Sequence, residues 1–257
     1  MLKCKNYQSS AIILFILLLL QHCSFAQTKY HKLVWSDEFS HNGAPDHSKW
    51  GYELGAGGWG NNELEYYTSR PQNVIVKDGL LHITALKENY EGSNYTSARI
   101  LTKGKFSFKY GRVEVRAKLP AGVGTWPAIW MLGSNVDSAH WPACGEIDIM
   151  EHLGRDMNKI YGTLHYPEHY GDHANGKTIM IKDATRFHIY GLEWSPSVIK
   201  ISVDGKVYQS VPNSPAIPFN HNFFIILNMA MGGNFGGPVD PKVTRASMEI
   251  DYVRVYQ

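Results

Sequence analysis

Cysteine is nearly absent from this chain. Its 257 residues include three, and Cys4 and Cys23 fall in an N-terminal stretch that reads as a leader, which leaves Cys144 alone. One thiol makes no internal disulfide, so stability must come from packing. Without a histidine and asparagine pattern to activate it, Cys144 reads as a small buried filler rather than a nucleophile. Excess charge is also missing. Lys3 and Lys5 are the only formally charged residues among the first 26, so the remainder carries 23 basic against 23 acidic residues. A polyanion needs counter-charge, and with no basic run to supply it, nucleic acid is excluded as a partner. Helical periodicity is scarcely present. The one long apolar run, 11–20, is too short for a bilayer of roughly 30 Å, which a helix crosses in about 20 residues. With two lysines before it and Ser24-Phe25-Ala26 after it, residues 1–26 read as a signal peptide removed on export, and the protein as secreted or periplasmic. A lipoprotein signal, Leu20-Gln21-His22-Cys23 with Cys23 acylated, is the alternative; bulky His22 stands where such sites take a small residue.

What remains reads as strand after strand. Arg112-Val113-Glu114-Val115-Arg116-Ala117-Lys118-Leu119 alternates charged and apolar residues with period two, which gives a strand one wet and one buried face. Residues 198–203 run into Asp204-Gly205 and out through Lys206-Val207-Tyr208, a two-residue hairpin signal. Further strands are expected at 80–85, 105–109, 187–194, 223–229 and 248–256. Many short strands split by turns predict one domain over 27–257, an all-β, two-sheet antiparallel sandwich of jelly-roll or concanavalin-like form. Trp59, Tyr66, Tyr67, Trp126, Trp130 and Trp141 fall in what read as connecting segments. Flat amphipathic rings beside a groove suit the apolar faces of sugars, although any one of them alone is as well explained by core packing.

The most informative stretch is Gly145-Glu146-Ile147-Asp148-Ile149-Met150-Glu151. In a regular strand Glu146 and Asp148 share one face, while the odd offset of Glu151 turns it inward among isoleucines, where a lone carboxylate is costly. One extra residue, a β-bulge near Ile149 or Met150, returns Glu151 to the face of the other two acids. Ending the strand at Met150 is the other solution. With the bulge, the outer glutamates stand about four strand steps apart, roughly 13 Å at Cα. Leaning together, their carboxyl groups reach about 5–6 Å, the spacing of a retaining glycosidase. Asp148 between them can hold a proton or hydrogen bond that keeps Glu146 ionised, and Glu151 should keep its proton to higher pH. Three acids stacked on an exposed strand without a function would only repel one another.

Glu146-Ile-Asp-Ile-Met-Glu151 resembles the catalytic signature of glycoside hydrolase family 16, in the longer, bulged form of laminarinase-type endo-1,3-β-glucanases. Lichenases and xyloglucan-active members carry the shorter form. Trp35-Ser-Asp-Glu-Phe39, Trp59-Gly-Asn-Asn-Glu-Leu-Glu-Tyr-Tyr-Thr68, Thr125-Trp-Pro-Ala-Ile-Trp-Met-Leu132, Leu227-Asn-Met-Ala-Met-Gly-Gly-Asn234 and Ile250-Asp-Tyr-Val-Arg-Val-Tyr256 are similar to segments of that subgroup, in its order. The resemblance implies a glucan cleft with Glu146 as nucleophile, Glu151 as acid/base and Asp148 as their helper. It implies that Trp126 and Trp130 flank the cleavage point, and that Asn61, Glu63, Arg99 and His165 contact sugar hydroxyls. It further implies a calcium ion on the convex face, held by Glu38, the Gly79 carbonyl and Asp251; oxygen donors suit that hard cation, and catalysis needs no cofactor. The expected partner is β-1,3-glucan, with mixed-linkage β-1,3-1,4-glucan a further substrate, and no feature demands a second subunit, so a monomer is expected. Alternatives are a relative acting on an algal galactan (agar, carrageenan or porphyran), a β-glucan transglycosylase, and a glucan-recognition protein. Relatives of the last kind have lost the catalytic glutamates, and both stand here.

Overall fold

The computed structural model describes Met1 and residues 30–257; the leader and its Cys23 alternative fall outside the described residues. Seventeen strands are present among them. In chain order they are β1 (Leu33–Asp37), β2 (Gly51–Glu53), β3 (Glu65–Tyr67), β4 (Val74–Lys77), β5 (Leu80–Tyr90), β6 (Ser93–Ser97), β7 (Arg99–Leu101), β8 (Gly111–Lys118) and β9 (Thr125–Gly133). After these come β10 (Glu146–His152), β11 (Lys159–His165), β12 (Asn175–Met180), β13 (His188–Trp194), β14 (Val198–Val203), β15 (Lys206–Pro212), β16 (Phe223–Met231) and β17 (Arg245–Tyr256). Helix is confined to short turns, the α-helical ones at Val136–Ala139 and Gly233–Gly236. No helix among the described residues is long and apolar enough to cross a membrane.

The strands form the two sheets of a sandwich. One runs β15-β14-β13-β8-β17-β5-β6-β3, with β1 and β4 added beside β17 and β5; the other runs β12-β11-β10-β9-β16-β7-β2. Strand β8 explains the pattern: Val113, Val115 and Ala117 are wholly buried, while Arg112, Arg116 and Lys118 turn outward onto Glu114, Asp251 and Glu249. The core lies between the sheets, where Val113 and Val115 of one meet Ile129, Met131, Ile147 and Ile149 of the other. Cys144 is buried there without a partner, and burial pushes its thiol up to about 11.

Three expectations need correction. The sandwich is not wholly antiparallel: β3 and β6 run parallel, Glu65 opposite Tyr95 and Tyr67 opposite Ser97. The chain enters β3 from the other sheet rather than through a hairpin, and such a crossover permits parallel pairing. Residues 105–109 are not a strand. The amides of Lys105 and Phe106 turn back onto the Thr102 carbonyl, leaving a single bridge from Phe108 to Phe223. Their alternation instead stacks Phe106 and Phe108 on one side, beside Trp35. Finally, Trp126 and Trp130 lie inside β9 and Tyr66 and Tyr67 inside β3, not in connecting segments.

The end of β9 touches the turn before β10 closely. A Cβ on Gly133 would stand 2.0 Å from the Cys144 carbonyl oxygen, so only glycine allows the approach. Gly133→Ala should destabilise the fold by about 1–3 kcal/mol and lower Tm by several degrees in calorimetry. Gly176→Ala, whose Cβ would meet nothing nearer than the Thr163 hydroxyl at 3.3 Å, should stay within about 0.5 kcal/mol.

Candidate active site

Strand β10 lies inside its sheet, between β9 and β11. Glu146 pairs with Leu132 of β9 and His165 of β11, whereas Glu151 pairs with Ala128 and Tyr161. Both neighbours therefore cover in five residues what β10 covers in six. The register slips between Asp148 and Met150 against β9, and between Asp148 and Glu151 against β11. This is the bulge expected at Ile149 or Met150. Its cause is visible in the packing, since Ile147, Ile149 and Met150 are all fully buried in the core. Two successive inward side chains consume the extra residue, and Glu146, Asp148 and Glu151 come out on one face.

Each acid has a partner. Trp141 donates its indole N–H to Glu146 at 3.0 Å, and Trp126 donates to Glu151 at 2.9 Å. His165 Nε2 stands 3.2 Å from Asp148 Oδ2 and 3.8 Å from Glu146 Oε1. Among the described residues Glu146, Asp148 and His165 are the one acid–histidine group with the spacing of metal ligands, their atoms within 4.8 Å of one another; the His165–Asp148 contact accounts for it. Burial is the largest influence on all three carboxyl groups and pushes each up to about 8, with the Asp148 charge adding to it at Glu146 and Glu151. Three acids so close titrate as a set rather than singly. Two groups oppose the rise at Glu146, His165 and the Trp141 donor. The shift therefore extends to Glu146 as well as Glu151, because the same floor desolvates both.

The remaining candidates fall along the same face. Pairing runs from Glu151 through Ala128 of β9 and Asn228 of β16 to Arg99 of β7 and Glu53 of β2. Trp130 donates to Asn228 at 2.7 Å, and the Arg99 guanidinium lies 4.8 Å from the Trp130 ring centre and 5.0 Å from that of Trp59. Arg99 is paired with Glu53 at 2.5 Å. Asn61 donates to Glu63, which also accepts from Tyr67, so Glu63 sits beneath this wall and is only 9% exposed. Opposite, Trp141 stacks edge-on against Tyr170. Phe235 packs edge-on to Trp126 and Tyr161, and Arg155 holds its loop through the carbonyls of Phe235 and Gly236. Of the six aromatic residues singled out in the sequence, Tyr67 is fully buried and Tyr66 packs on Tyr90; the four tryptophans belong to the site. Glu53, Asn228, Tyr161 and Phe235 were not anticipated. Asn228 lies within a segment that carried the resemblance, but nothing in its spacing marks it.

The residues expected to hold calcium lie in and beside the other sheet, at β17. Asp37 opposes Val253 and Leu81 opposes Ile250, so Glu38 and Gly79 approach the same edge of β17 as Asp251, which sits at a register shift. Both carboxylates are engaged by arginine, Glu38 by Arg254 and Asp251 by Arg116. As arranged they suit guanidinium, and a cation there would fall to backbone carbonyls.

The family model described as "Glycosyl hydrolases family 16" matches residues 61–254. The chain belongs to glycosyl hydrolase family 16. It is thus a glycoside hydrolase. It is 46% identical to a β-glucanase of Rhodothermus marinus, over 88% of this chain and 85% of that one. It is 41% identical to a glucan endo-1,3-β-glucosidase of Cryptopygus antarcticus, over 92% and 96%. The crystal structure of the Rhodothermus marinus laminarinase superposes with a TM-score of 0.85 at 47% identity, covering 89% of this chain and 98% of that one. Family membership thus coincides with the two-sheet sandwich and the bulged strand. Because His165 lowers the proton affinity of both Glu146 and Glu151, His165→Ala should move the carboxyl titration midpoints upward in 13C NMR of Glu/Asp-labelled protein.

Proposed function

We propose that this family 16 hydrolase is a retaining endo-1,3-β-glucanase, with mixed-linkage β-1,3-1,4-glucan as a further substrate. The observation that carries the reading is the bulge that brings Glu151 out beside Glu146 and Asp148. The names of its relatives support the substrate class. Glu146 is the nucleophile, since His165 and the Trp141 N–H both stabilise its anion. Glu151 has the Trp126 N–H as its donor and no ion pair among the described residues, so burial and the Asp148 charge, which act on both glutamates, leave it the better placed of the two to arrive protonated. Asp148, two residues along the same face from Glu146 and touching His165, holds the nucleophile in place.

The reaction follows from these positions. A Glu146 oxygen attacks the anomeric carbon while Glu151 gives its proton to the departing O3, so the C–O bond breaks and a glycosyl ester forms on Glu146. Glu151, now a carboxylate, takes a proton from water; the water oxygen attacks the same carbon, releases Glu146 and restores the β configuration. Indole rings on either side of the acids, Trp141 with Tyr170 and Trp130 with Trp59, let a glucan run past both ends of the trio, which suits endo cleavage. The cations along this face, Arg99 and Arg155, are already taken by Glu53 and by loop carbonyls, which argues against a sulfated galactan. On the same reading the protein is exported, loses residues 1–26 and acts as a monomer, and a calcium ion held by the backbone carbonyls of Glu38, Gly79 and Asp251 would be structural.

Glu146→Gln and Glu151→Gln should each lower kcat on laminarin by at least about 10³-fold, without loss of Tm, and proton NMR of early wild-type products should show the β anomer. Near-normal activity in either variant, or an α product, overturns the roles. In a panel, laminarin and lichenan should be cut and agarose and carrageenan left intact. Chelator treatment should lower Tm by a few degrees and leave kcat unchanged, with calcium restoring it; an unchanged Tm removes the metal.

A further inference from the structure

Beneath the Trp130 side of the cleft lies a second acid pair, well away from the trio. Glu65 of β3 has no exposed surface, and Glu63, two residues earlier, is 9% exposed. Glu65 Oε2 accepts the Met231 amide at 2.7 Å, whereas its buried Oε1 has no hydrogen-bond partner of its own and faces the Glu63 carboxyl. Glu63 already receives two donors, the Asn61 amide at 3.3 Å and the Tyr67 hydroxyl at 2.9 Å. The Tyr67 hydroxyl in turn accepts from Asn228 at 3.0 Å, and Asn228 accepts the Trp130 indole N–H at 2.7 Å. Every bond in this chain points toward Glu63, which behaves as a pure acceptor. Two carboxylates facing each other without a proton would repel in a site shut off from water.

We propose that Glu65 carries a proton that it donates to Glu63, and that this acid pair is the positioning device for Trp130 and Asn61 at the sugar-binding wall. The fixed sense of the bonds orients Asn228, and Asn228 fixes the plane of the Trp130 ring beside Asp148, its register partner. Burial and the neighbouring Glu63 both favour the protonated form of Glu65, while the Met231 amide opposes it. The titratable groups around Glu65 are Glu63 and Tyr67 on its own segment and Tyr95 across from it on β6. Strand β16, which supplies Met231, has none. Arg99 acts on Tyr67 and is paired with Glu53.

The proposal rests on the glucanase reading only for its kinetic arm; the proton is tested by stability alone. A carboxyl whose folded value is raised contributes no penalty below its unfolded value near 4.3 and destabilises increasingly as pH rises through the window up to the folded value. Glu65→Gln keeps one donor toward Glu63 and one acceptor for Met231 but has no proton to hold. In calorimetry its Tm should therefore match wild type at pH 4 and exceed it by a few degrees at pH 8. A Glu65→Gln protein whose relative Tm falls as pH rises would mean an ionised Glu65 and would overturn the proposal. On laminarin, Glu65→Gln should keep KM within about twofold of wild type, while Glu65→Met, which can neither donate nor accept, should raise KM about tenfold with kcat little changed. Equal KM for all three proteins overturns the positioning role; a merely structural loss would lower the active fraction and leave KM alone. Should Glu65→Met fail to fold, the sign of the Glu65→Gln Tm difference decides the question. Failure of the glucanase reading would instead appear as no laminarin turnover by wild type, with that difference intact.

Discussion

A pleated strand offers only every second side chain to a given face, and β10 has to offer three acids within six residues while keeping three apolar side chains in the core. The two demands are incompatible in a regular strand. Spending two consecutive residues, Ile149 and Met150, on the interior resolves them, at the cost of one interrupted rung of pairing on each side. The interruption is held because the neighbours are themselves inflexible: β9 is locked between β10 and β16, and Gly133 abuts the turn that leads into β10. The geometry of the trio is a by-product of how the core is filled.

Tryptophan does two jobs around the trio. An indole has a single N–H and a broad apolar face, so the residue that satisfies a carboxylate also dries its surroundings. Trp141 and Trp126 do this for Glu146 and Glu151, and Trp130 does it for Asn228. Drying raises proton affinity and strengthens every remaining electrostatic contact, so the histidine beside Asp148 and Glu146 carries more weight than it would in water. The rings that tune the acids are the same rings that present a flat surface to sugars, and a substitution at any of them alters both properties together.

Much of this was legible in the sequence. Period-two alternation located β8, β14 and the hairpin into β15, and the misplaced parity of Glu151 alone demanded a bulge. Strand β9 was not legible by the same rule. Its outward side chains are Trp126, Ala128, Trp130 and Leu132, apolar on the cleft side as well as the core side, so no polarity alternates, and Pro127 argues against a strand interior. The segment 105–109 failed the opposite way, alternating perfectly while forming a turn. The chain of hydrogen bonds from Trp130 through Asn228 and Tyr67 to Glu63 includes a bond between residues 161 positions apart, so no local spacing reveals it. Apart from the resemblance, Trp130 stood out in the sequence only as one of six aromatic residues, and the resemblance alone pointed at Glu63.

The solitary thiol has a consequence of its own. Cys144 is buried, its proton is held well above neutral pH, and it has no sulfur within the sandwich to join. The folded sandwich therefore has one covalent topology in oxidising and reducing surroundings alike. It can neither scramble its bridges nor depend on an oxidase to mature, so its folding is indifferent to the redox history of the compartment it passes through.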